Sequence, residues 1–441
     1  MGKIANRIVR ICNLWNHNRF GYNHVPYDKL YYKNRESMKQ IFSNLWKYIK
    51  AIWRSKYKWI VLLFFLWSYR VGYMPNSEDG FARALQIGCL VGMTFLFNKY
   101  KSGIFDFTLN KTNLPIKSIY ILYIYAILSA IWSIMPMFSA YLAFQNIVLL
   151  CGLTWLYTRS QTFIGTERIF LYFTLMIILF DAVCRRIFIE YGAIFTHHLT
   201  NGSTSAMLTS YCAAELWGMQ EKDSSRKNLL RGMLIIALVF LITSTSSGAN
   251  ASAVFGIAVA AFLSGKTFLY IILFSGAIFL LLFKEYIDSL MLMIMPGKNK
   301  EAIETATGRT DLWDIMLDLA SQKPWFGWGY ACIERAATIT GEIESPDAHN
   351  NYLGFYGSLG YVGSAIAYIS FFITLFNSWK RRLKPGYKGI IAAFCCALLN
   401  GYSYGFLTGK ACNITVAFFS LIVLTYCYSR TNIYHESSTK R

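Results

Sequence analysis

The feature that most constrains this chain is a succession of long apolar runs, most of which could cross a lipid bilayer as helices. About 20 helical residues span a hydrocarbon core of about 30 Å. Only 15% of the 441 residues are charged, against about 25% in soluble domains, so water is a poor solvent for this chain. We therefore expect an all-α integral membrane protein with about twelve transmembrane helices. The apolar runs cover roughly residues 58–75, 83–98, 118–134, 138–157, 169–184, 204–219, 232–247, 249–265, 268–284, 351–377, 389–407 and 412–428.

Two longer apolar stretches are predicted to be interrupted. The stretch 118–157 should split at Pro136, because proline cannot continue a helix from its preceding turn. The stretch 232–264 is too long for one crossing, and the polar cluster from Thr243 to Gly248 should divide it into two helices joined by a tight turn.

The basic residues indicate the orientation. The chain carries 43 Lys and Arg against 23 Asp and Glu, a net charge of +20. With the N-terminus inside, most of these cations fall on the cytoplasmic side, as in other membrane proteins. The basic excess thus predicts topology and no nucleic-acid partner. Residues 1–15 lack the apolar core of a signal peptide. We expect a bacterial inner-membrane protein with both termini in the cytoplasm.

This topology divides the chain into five parts. Residues 1–57 form a basic cytoplasmic arm, whose amphipathic stretch is predicted to lie on anionic lipids or, alternatively, on cytoplasmic loops. Residues 58–285 hold transmembrane helices 1 to 9, and 286–349 form one large periplasmic loop. Residues 350–428 hold helices 10 to 12, and 429–441 form a cytoplasmic tail. Chemistry is expected in the large loop.

Arg309 is the first candidate site residue in that loop. Apolar residues at helical spacing from Leu312 to Leu319 predict an amphipathic helix, with Thr310 as its N-cap and Asp311 in its first turn. A helix N-terminus with an adjacent arginine favours a phosphate or pyrophosphate. A structural Arg–Asp pair is the alternative.

The segment 323–330 contains three aromatic candidates, Trp325, Trp328 and Tyr330. They could stack on sugar rings, or they could belong to the aromatic belt at the membrane interface. The sequence leaves both interpretations open.

His349 is the second candidate, followed by Asn350 at the mouth of a predicted membrane helix. Histidine suits proton transfer near neutral pH, although a single histidine is more often structural. Gly354, Gly360 and the other glycines at three-residue spacing in 354–363 should allow close approach of a neighbouring segment.

Arg185 and Arg186 follow directly on an outward-going apolar run, where cations are costly and need a partner. A lipid pyrophosphate would serve, and Asp181 is the alternative partner. Glu215 is expected to be merely interfacial. The remaining outer-face candidates are Arg83, His197 and His198.

Several signals of other chemistries are absent from the sequence. It has no P-loop, HExxH, GxSxG, DxD or clustered Cys/His spacing. We therefore predict neither a metal nor a cofactor. No internal repeat is visible, which weakens a transporter interpretation.

Three segments resemble one family. Residues 349–363 read HN, nine residues, G, two residues, G, and resemble the HN-x9-G-x-x-G signature of the O-antigen ligase and O-antigen polymerase superfamily. Residues 307–330 are similar to its TGRTDxW…P-x-x-G-x-G-Y loop. Residues 129–136 resemble its S-x-x-WS-x-x-P segment.

The resemblance implies a GT-C-like, metal-independent membrane glycosyltransferase that takes a glycan from undecaprenyl pyrophosphate on the periplasmic face. His349 would act as base or orienter for the acceptor hydroxyl, and Arg309 would bind the pyrophosphate. Trp325, Trp328, Tyr330 and Asn350 become candidate glycan contacts. One position departs from the family pattern, since Ser247 stands where an S-R-G-A segment often has arginine. We expect Arg185 or Arg186 to replace that cation.

The two enzyme alternatives, a polymerase and a ligase, differ in the acceptor of the glycan. A polymerase extends another lipid-linked glycan, as in O-antigen or exopolysaccharide assembly, whereas a ligase transfers to lipid A–core. The stretch 307–313 favours a polymerase. A lipid-linked glycan flippase is the alternative of another class.

Overall fold

The computed structural model describes the chain mainly from residue 113 onward. The described ranges are 113–158, 160, 162–189, 198–219, 224–244, 246–266, 309–341, 349–409 and 411–438, with single positions among 43–95, and they exclude the side chains of 183–189, 198, 309–310 and 431–438. The predicted arm 1–57, the runs 58–75 and 268–284, most of 83–98, Arg83, His197 and the loop residues 286–308 lie outside this description.

The described ranges are helical, without a strand. Their helices are α1 (Leu114–Leu128), α2 (Pro136–Tyr157), α3 (Phe163–Ile189), α4 (His198–Gly218), α5 (Ser224–Thr243), α6 (Ser247–Leu263), α7 (Arg309–Gln322), α8 (Ile333–Ile339), α9 (Asn351–Lys380), α10 (Tyr387–Asn400) and α11 (Asn413–Ser438).

Both predicted interruptions are confirmed. A 3-10 turn at Ser129–Ile131 ends α1, and Pro136 opens α2, where its missing N–H costs no hydrogen bond. The polar cluster separates α5 from α6, and the Ser246 side chain caps α6 by accepting from the Ala249 N–H. Thr310, expected as the N-cap of α7, instead lies inside that helix, which begins at Arg309.

Four helices among the described residues are long and apolar enough to cross a membrane: Leu114–Ile131, Pro136–Tyr157, Phe163–Ala182 and Asn351–Lys380. Two shorter apolar helices, Ser247–Leu263 and Tyr387–Asn400, accompany them. The structure thus describes an all-helical, multi-pass membrane protein, and the twelve-helix layout stays a prediction. The predicted run 389–407 is wrong in its second half, since α10 ends at Asn400 and a turn-rich segment follows.

The centre of the bundle is α4, which packs against α5, α6 and α10. Small residues bring these helices together, so that a Cβ added at Gly256 would collide with the Ser210 hydroxyl and the Cys396 Cβ. Residues 200–215 of α4 are buried throughout, despite their many hydroxyl and amide groups. Several of these groups bond within α4, as where Thr204 Oγ1 donates to the Thr200 carbonyl over 2.8 Å, and others bond to neighbouring helices, as where Ser203 Oγ donates to Asn400 Oδ1 over 2.9 Å.

A buried ion cluster of Glu167, Glu215 and Arg226 links the C-terminal end of α4 to α3 and α5. Arg226 Nε lies 2.6 Å from Glu167 Oε2, and its Nη2 lies 2.6 Å from Glu215 Oε2. Glu215 also accepts the backbone N–H groups of Gly386 and Gly389, each over 2.8 Å. Glu215 is therefore not interfacial, as the sequence suggested, but 4% exposed and central to helix packing.

Candidate active site

His349 and Asn350 directly precede α9, and Asn351 is its first residue. Asn350 caps the helix, with Oδ1 accepting from the Tyr352 N–H at 2.9 Å and the Leu353 N–H at 3.1 Å. This candidate glycan contact is 6% exposed and is engaged in holding the helix end.

His349 itself has a left-handed backbone, with φ at 49°. A residue with a Cβ rarely adopts this conformation, so the surrounding structure must hold it there. The imidazole is half-buried and stacks on the Tyr404 ring, with centroids 6.1 Å apart and an interplanar angle of 23°. The ring is thus oriented by Tyr404, and its Nδ1 atom is buried.

Tyr404 belongs to the segment 401–409 between α10 and α11, which we call the strap. Asn351 fixes the strap from two sides. Its backbone N–H donates to the Gly401 carbonyl at 2.8 Å, and its Oδ1 accepts from the Phe406 and Leu407 N–H groups at 2.7 and 2.8 Å. The residue after the His349–Asn350 pair therefore holds the surface on which His349 rests.

Farther along α9, the helix is broken at Gly360, whose φ of 66° and ψ of −166° lie outside the helical region. This combination is almost exclusive to glycine. The break frees backbone groups on both sides of Gly360, and the loop 324–329 pairs with them. Trp328 and Gly329 N–H groups donate to the Gly357 and Ser358 carbonyls at 3.0 and 2.9 Å.

The pairing continues on the other side of the break. The Tyr361 and Val362 N–H groups donate to the Pro324 and Trp325 carbonyls at 2.8 and 3.3 Å. The turn-rich loop and the glycine-rich helix are thus interlocked through four backbone hydrogen bonds. The close approach leaves no room for a Cβ at Gly360, which would collide with the Trp325 carbonyl.

The segment 129–136, in the turn between α1 and α2, contacts residues 326–330 of the loop. Ser129 Oγ accepts the Tyr330 N–H at 2.9 Å, and Trp132 Nε1 donates to the Phe326 carbonyl at 3.0 Å. Ser133 packs so closely on Gly329 that a Cβ there would collide with it. All three motif segments therefore meet at one end of the bundle, which we call the site end.

Tyr330 is a fully buried link within this assembly. Its hydroxyl donates to the Leu407 carbonyl at 2.8 Å and accepts from Asn146 Nδ2 at 3.1 Å. Burial raises the pKa of this hydroxyl well above its usual value, so it stays a neutral donor. With no exposed surface, Tyr330 holds the strap to the loop instead of facing a glycan.

The other two aromatic candidates differ from each other. Trp328 is partly buried, with Nε1 donating to the Leu319 carbonyl at 2.8 Å and Lys323 Nζ 4.0 Å above its ring. Trp325 is 64% exposed and pairs edge-on with Tyr361, with centroids 5.7 Å apart. Of the three, only Trp325 offers a large open surface.

The candidate cations are described by their backbone alone. Arg309 is the first residue of α7, whose buried face, through Met316, packs with Leu353 of α9. The amphipathic character predicted for α7 is confirmed by this packing. Arg185 and Arg186 lie in the last turns of α3, which ends at Ile189. Ser247, at the position where arginine was expected, opens α6.

The described part of the chain contains no group of three or more His, Cys, Asp or Glu side chains that could bind a metal ion.

Comparison with known families bears on this arrangement. Residues 232–369 match the family model described as O-antigen ligase. The match confirms the resemblance to the O-antigen ligase and polymerase superfamily for the segment that runs from α5 into α9 and includes the loop and His349. It indicates glycan transfer of the ligase or polymerase kind. No curated protein matches the sequence.

The structure extends the site beyond the matched residues. The segment 129–136 and the strap 401–409 lie outside the match, yet they contact the loop and His349. The strap was not predicted, because residues 401–407 were assigned to the apolar run 389–407. The signal was present in Gly401-Tyr402-Ser403-Tyr404-Gly405, where glycines and a serine interrupt that run.

Proposed function

We propose that this protein transfers a glycan from a polyprenyl pyrophosphate to an acceptor hydroxyl, as the polymerase of a surface polysaccharide. The observation that carries the proposal is the convergence of the segments 129–136, 324–330 and 349–363 on one another at the site end. The family match over 232–369 supports glycan transfer.

His349 is the proposed base or orienter for the acceptor hydroxyl. Its stacking on Tyr404 and its fixed backbone would hold the imidazole in one direction, which proton transfer requires. Arg309, at the first residue of α7, would bind the pyrophosphate and stabilise the charge that develops as it leaves. Arg185 or Arg186 would supply a second cation in place of the arginine absent at Ser247.

The orientation follows from the basic residues. The α9–α10 connection, residues 380–388, carries five Lys and Arg and lies at the same end as the buried ion cluster, opposite to the site end. By the positive-inside rule we place that end in the cytoplasm and the site end at the periplasmic face. A glycan donor linked to undecaprenyl pyrophosphate would bind at that face.

Substitution of His349 by asparagine tests the role of the imidazole with least damage to the fold. Asparagine tolerates the left-handed conformation that φ of 49° demands, whereas alanine does so less well. We expect His349→Asn to reach the membrane at normal levels and to lose roughly 10²- to 10⁴-fold in transfer rate. His349→Ala should lose the same activity with an added loss of stability. Normal glycan elongation by His349→Asn would refute the mechanism.

The ligase alternative is favoured by the description of the matching family. Deletion of the protein distinguishes the two. Loss of a polymerase leaves single repeat units on their carrier or on lipid A–core, whereas loss of a ligase leaves full-length chains on the polyprenyl carrier. Turnover of a lipid-linked glycan by the purified protein in detergent would in turn exclude a flippase.

A further inference from the structure

Tyr402 and Trp313 form an aromatic pair that joins the strap to α7. Tyr402 is 56% exposed in a strap whose other residues are buried or half-buried. Its ring meets the Trp313 ring of α7 edge-on, with centroids 5.2 Å apart and an interplanar angle of 73°. An exposed tyrosine braced by a tryptophan presents a rigid apolar surface with a polar rim.

Each member of the pair belongs to the same segment as one candidate chemical group or its contact. Trp313 follows Arg309 by four residues, so it lies one helical turn, or about 6 Å, farther along the same side of α7. On the strap, Tyr404 follows Tyr402 by two residues and stacks on His349. A Cβ built on Gly405 would lie 3.8 Å from the His349 Cα.

Both halves of the pair are held in place by other contacts. Trp313 packs with Leu312 against Met316 and Leu353, which fixes α7 on the first turn of α9. The strap is fixed by Asn351, whose Oδ1 accepts two of its N–H groups. A surface held this firmly loses little entropy when a ligand settles on it.

We propose that Trp313 and Tyr402 form a platform for the sugar joined directly to the pyrophosphate of the lipid-linked donor. This proposal rests on the proposed function. Arg309 and Trp313 lie one helical turn apart on the same side of α7, so a pyrophosphate bound by Arg309 would bring the sugar that it carries to the aromatic pair. The apolar C–H face of the sugar would rest on the aromatic pair, with its reacting carbon turned toward His349.

Two lipids that differ only in the sugar test the platform. The full-length protein in nanodiscs is titrated with undecaprenyl pyrophosphate and with undecaprenyl-pyrophosphate-linked N-acetylglucosamine. The wild-type protein should bind the sugar-bearing lipid tighter by roughly 2- to 10-fold, the worth of one aromatic contact. Tyr402→Ala and Trp313→Ala should bind the two lipids equally, and Tyr402→Phe should keep the preference.

The chain offers a matched control in Phe372, which is 65% exposed and stacks on Phe376 in α9, the helix that follows His349. Phe372→Ala should keep the preference for the sugar. If Trp313→Ala is poorly folded, Tyr402→Ala and Trp313→Phe carry the test.

The outcomes separate the platform from the function on which it rests. A wild-type protein that binds neither lipid refutes the proposed function and the platform together. Equal binding of the two lipids by the wild-type protein, or an unchanged preference in Tyr402→Ala, refutes the platform alone. A lowered thermal midpoint with an unchanged preference would show that the pair only stabilises the packing of α7 and the strap.

Discussion

At the scale of single residues, Gly360 shows how one backbone conformation joins two distant segments. Its φ of 66° breaks the helix, and the break supplies the carbonyl and N–H groups that the loop 324–329 needs. A side chain at this position would meet both a forbidden conformation and the Trp325 carbonyl. The glycine is therefore required twice, once for its φ and once for its missing Cβ.

Gly360→Ala should destabilise the protein by at least about 1–3 kcal/mol, the cost of backbone strain alone. It should also reduce transfer activity, because the loop would separate from α9. Gly265→Ala is the matched control, since Gly265 has φ of 67° but no atom within 4 Å of an added Cβ. Thermal midpoints in detergent and chain-length gels measure both effects. Equal losses in the two variants would show that strain matters and the interlock does not.

Arg226 is a second residue on which several contacts depend, since its side chain pairs with Glu167 and Glu215. Arg226→Met leaves two buried carboxylates without their cation, and we expect a loss of about 3–5 kcal/mol. Arg231→Met, on the exposed side of the same helix, should cost far less. Chemical unfolding of the purified variants measures the difference. A loss in Arg226→Met no greater than that in Arg231→Met would contradict the assigned role.

At the scale of elements, the strap depends on contacts from four directions. The Leu407 carbonyl accepts from the Tyr330 hydroxyl at 2.8 Å and from the Tyr123 hydroxyl of α1 at 3.1 Å. Asn351 holds the same stretch from α9, and Thr415 Oγ1 donates to the Phe406 carbonyl from α11. The strap is therefore fixed by three helices and a loop, although it contains no helix itself.

Because two tyrosine hydroxyls donate to the Leu407 carbonyl, we expect the losses of unfolding free energy in their variants to be non-additive. Tyr330→Phe and Tyr123→Phe should each cost about 0.5–1.5 kcal/mol, because the other hydroxyl still satisfies the carbonyl. The double variant leaves the carbonyl with neither hydroxyl and should lose more than the sum of the two. A double-mutant cycle of unfolding free energies measures this coupling. Strict additivity would show that the two hydroxyls act independently.

The elements also show how much of the fold could be predicted from the sequence. Helix boundaries at Pro136 and at the 243–248 cluster were predictable, because proline and polar clusters act locally. The role of Tyr330 was not, since burial depends on Leu407 and Asn146, which are distant in the chain. Glu215 was misjudged for the same reason, as its partners Arg226 and Gly386 come from other helices. His349 and Arg309 could be proposed from the sequence, because each depends on its position next to a predicted helix end, and the motif resemblance pointed to the same two residues.

At the scale of the whole molecule, connections alternate between two ends of the bundle. The α1–α2 turn, the α5–α6 turn and the strap lie at the site end, where Gly248 packs against Ser403. The connection 380–388 lies at the other end, where Gly386 meets Glu215. This alternation is what a chain that crosses a membrane repeatedly must show.

Labelling of single cysteines tests the orientation of these two ends. Ile339 of α8 is 70% exposed at the site end, and Leu383 is 87% exposed at the other. We expect a membrane-impermeant maleimide to label Ile339→Cys from the periplasm and Leu383→Cys only after the inner membrane is broken. The unsubstituted chain provides the background from its native thiols. Labelling of Leu383→Cys in intact cells would reverse the proposed topology.

The break at Gly360 has a further consequence for α9. The part after the break, residues 361–380, is about 30 Å long and would cross the hydrocarbon core alone. The shorter part that follows His349, residues 351–359, would then stand at the membrane surface, anchored to the loop and the strap. Because the loop 324–329 is hydrogen-bonded to both sides of the break, a bilayer that tilts the long part would also move the loop and the short part. The site end should therefore respond to the acyl-chain length of the host lipids, even though its residues lie outside the hydrocarbon core.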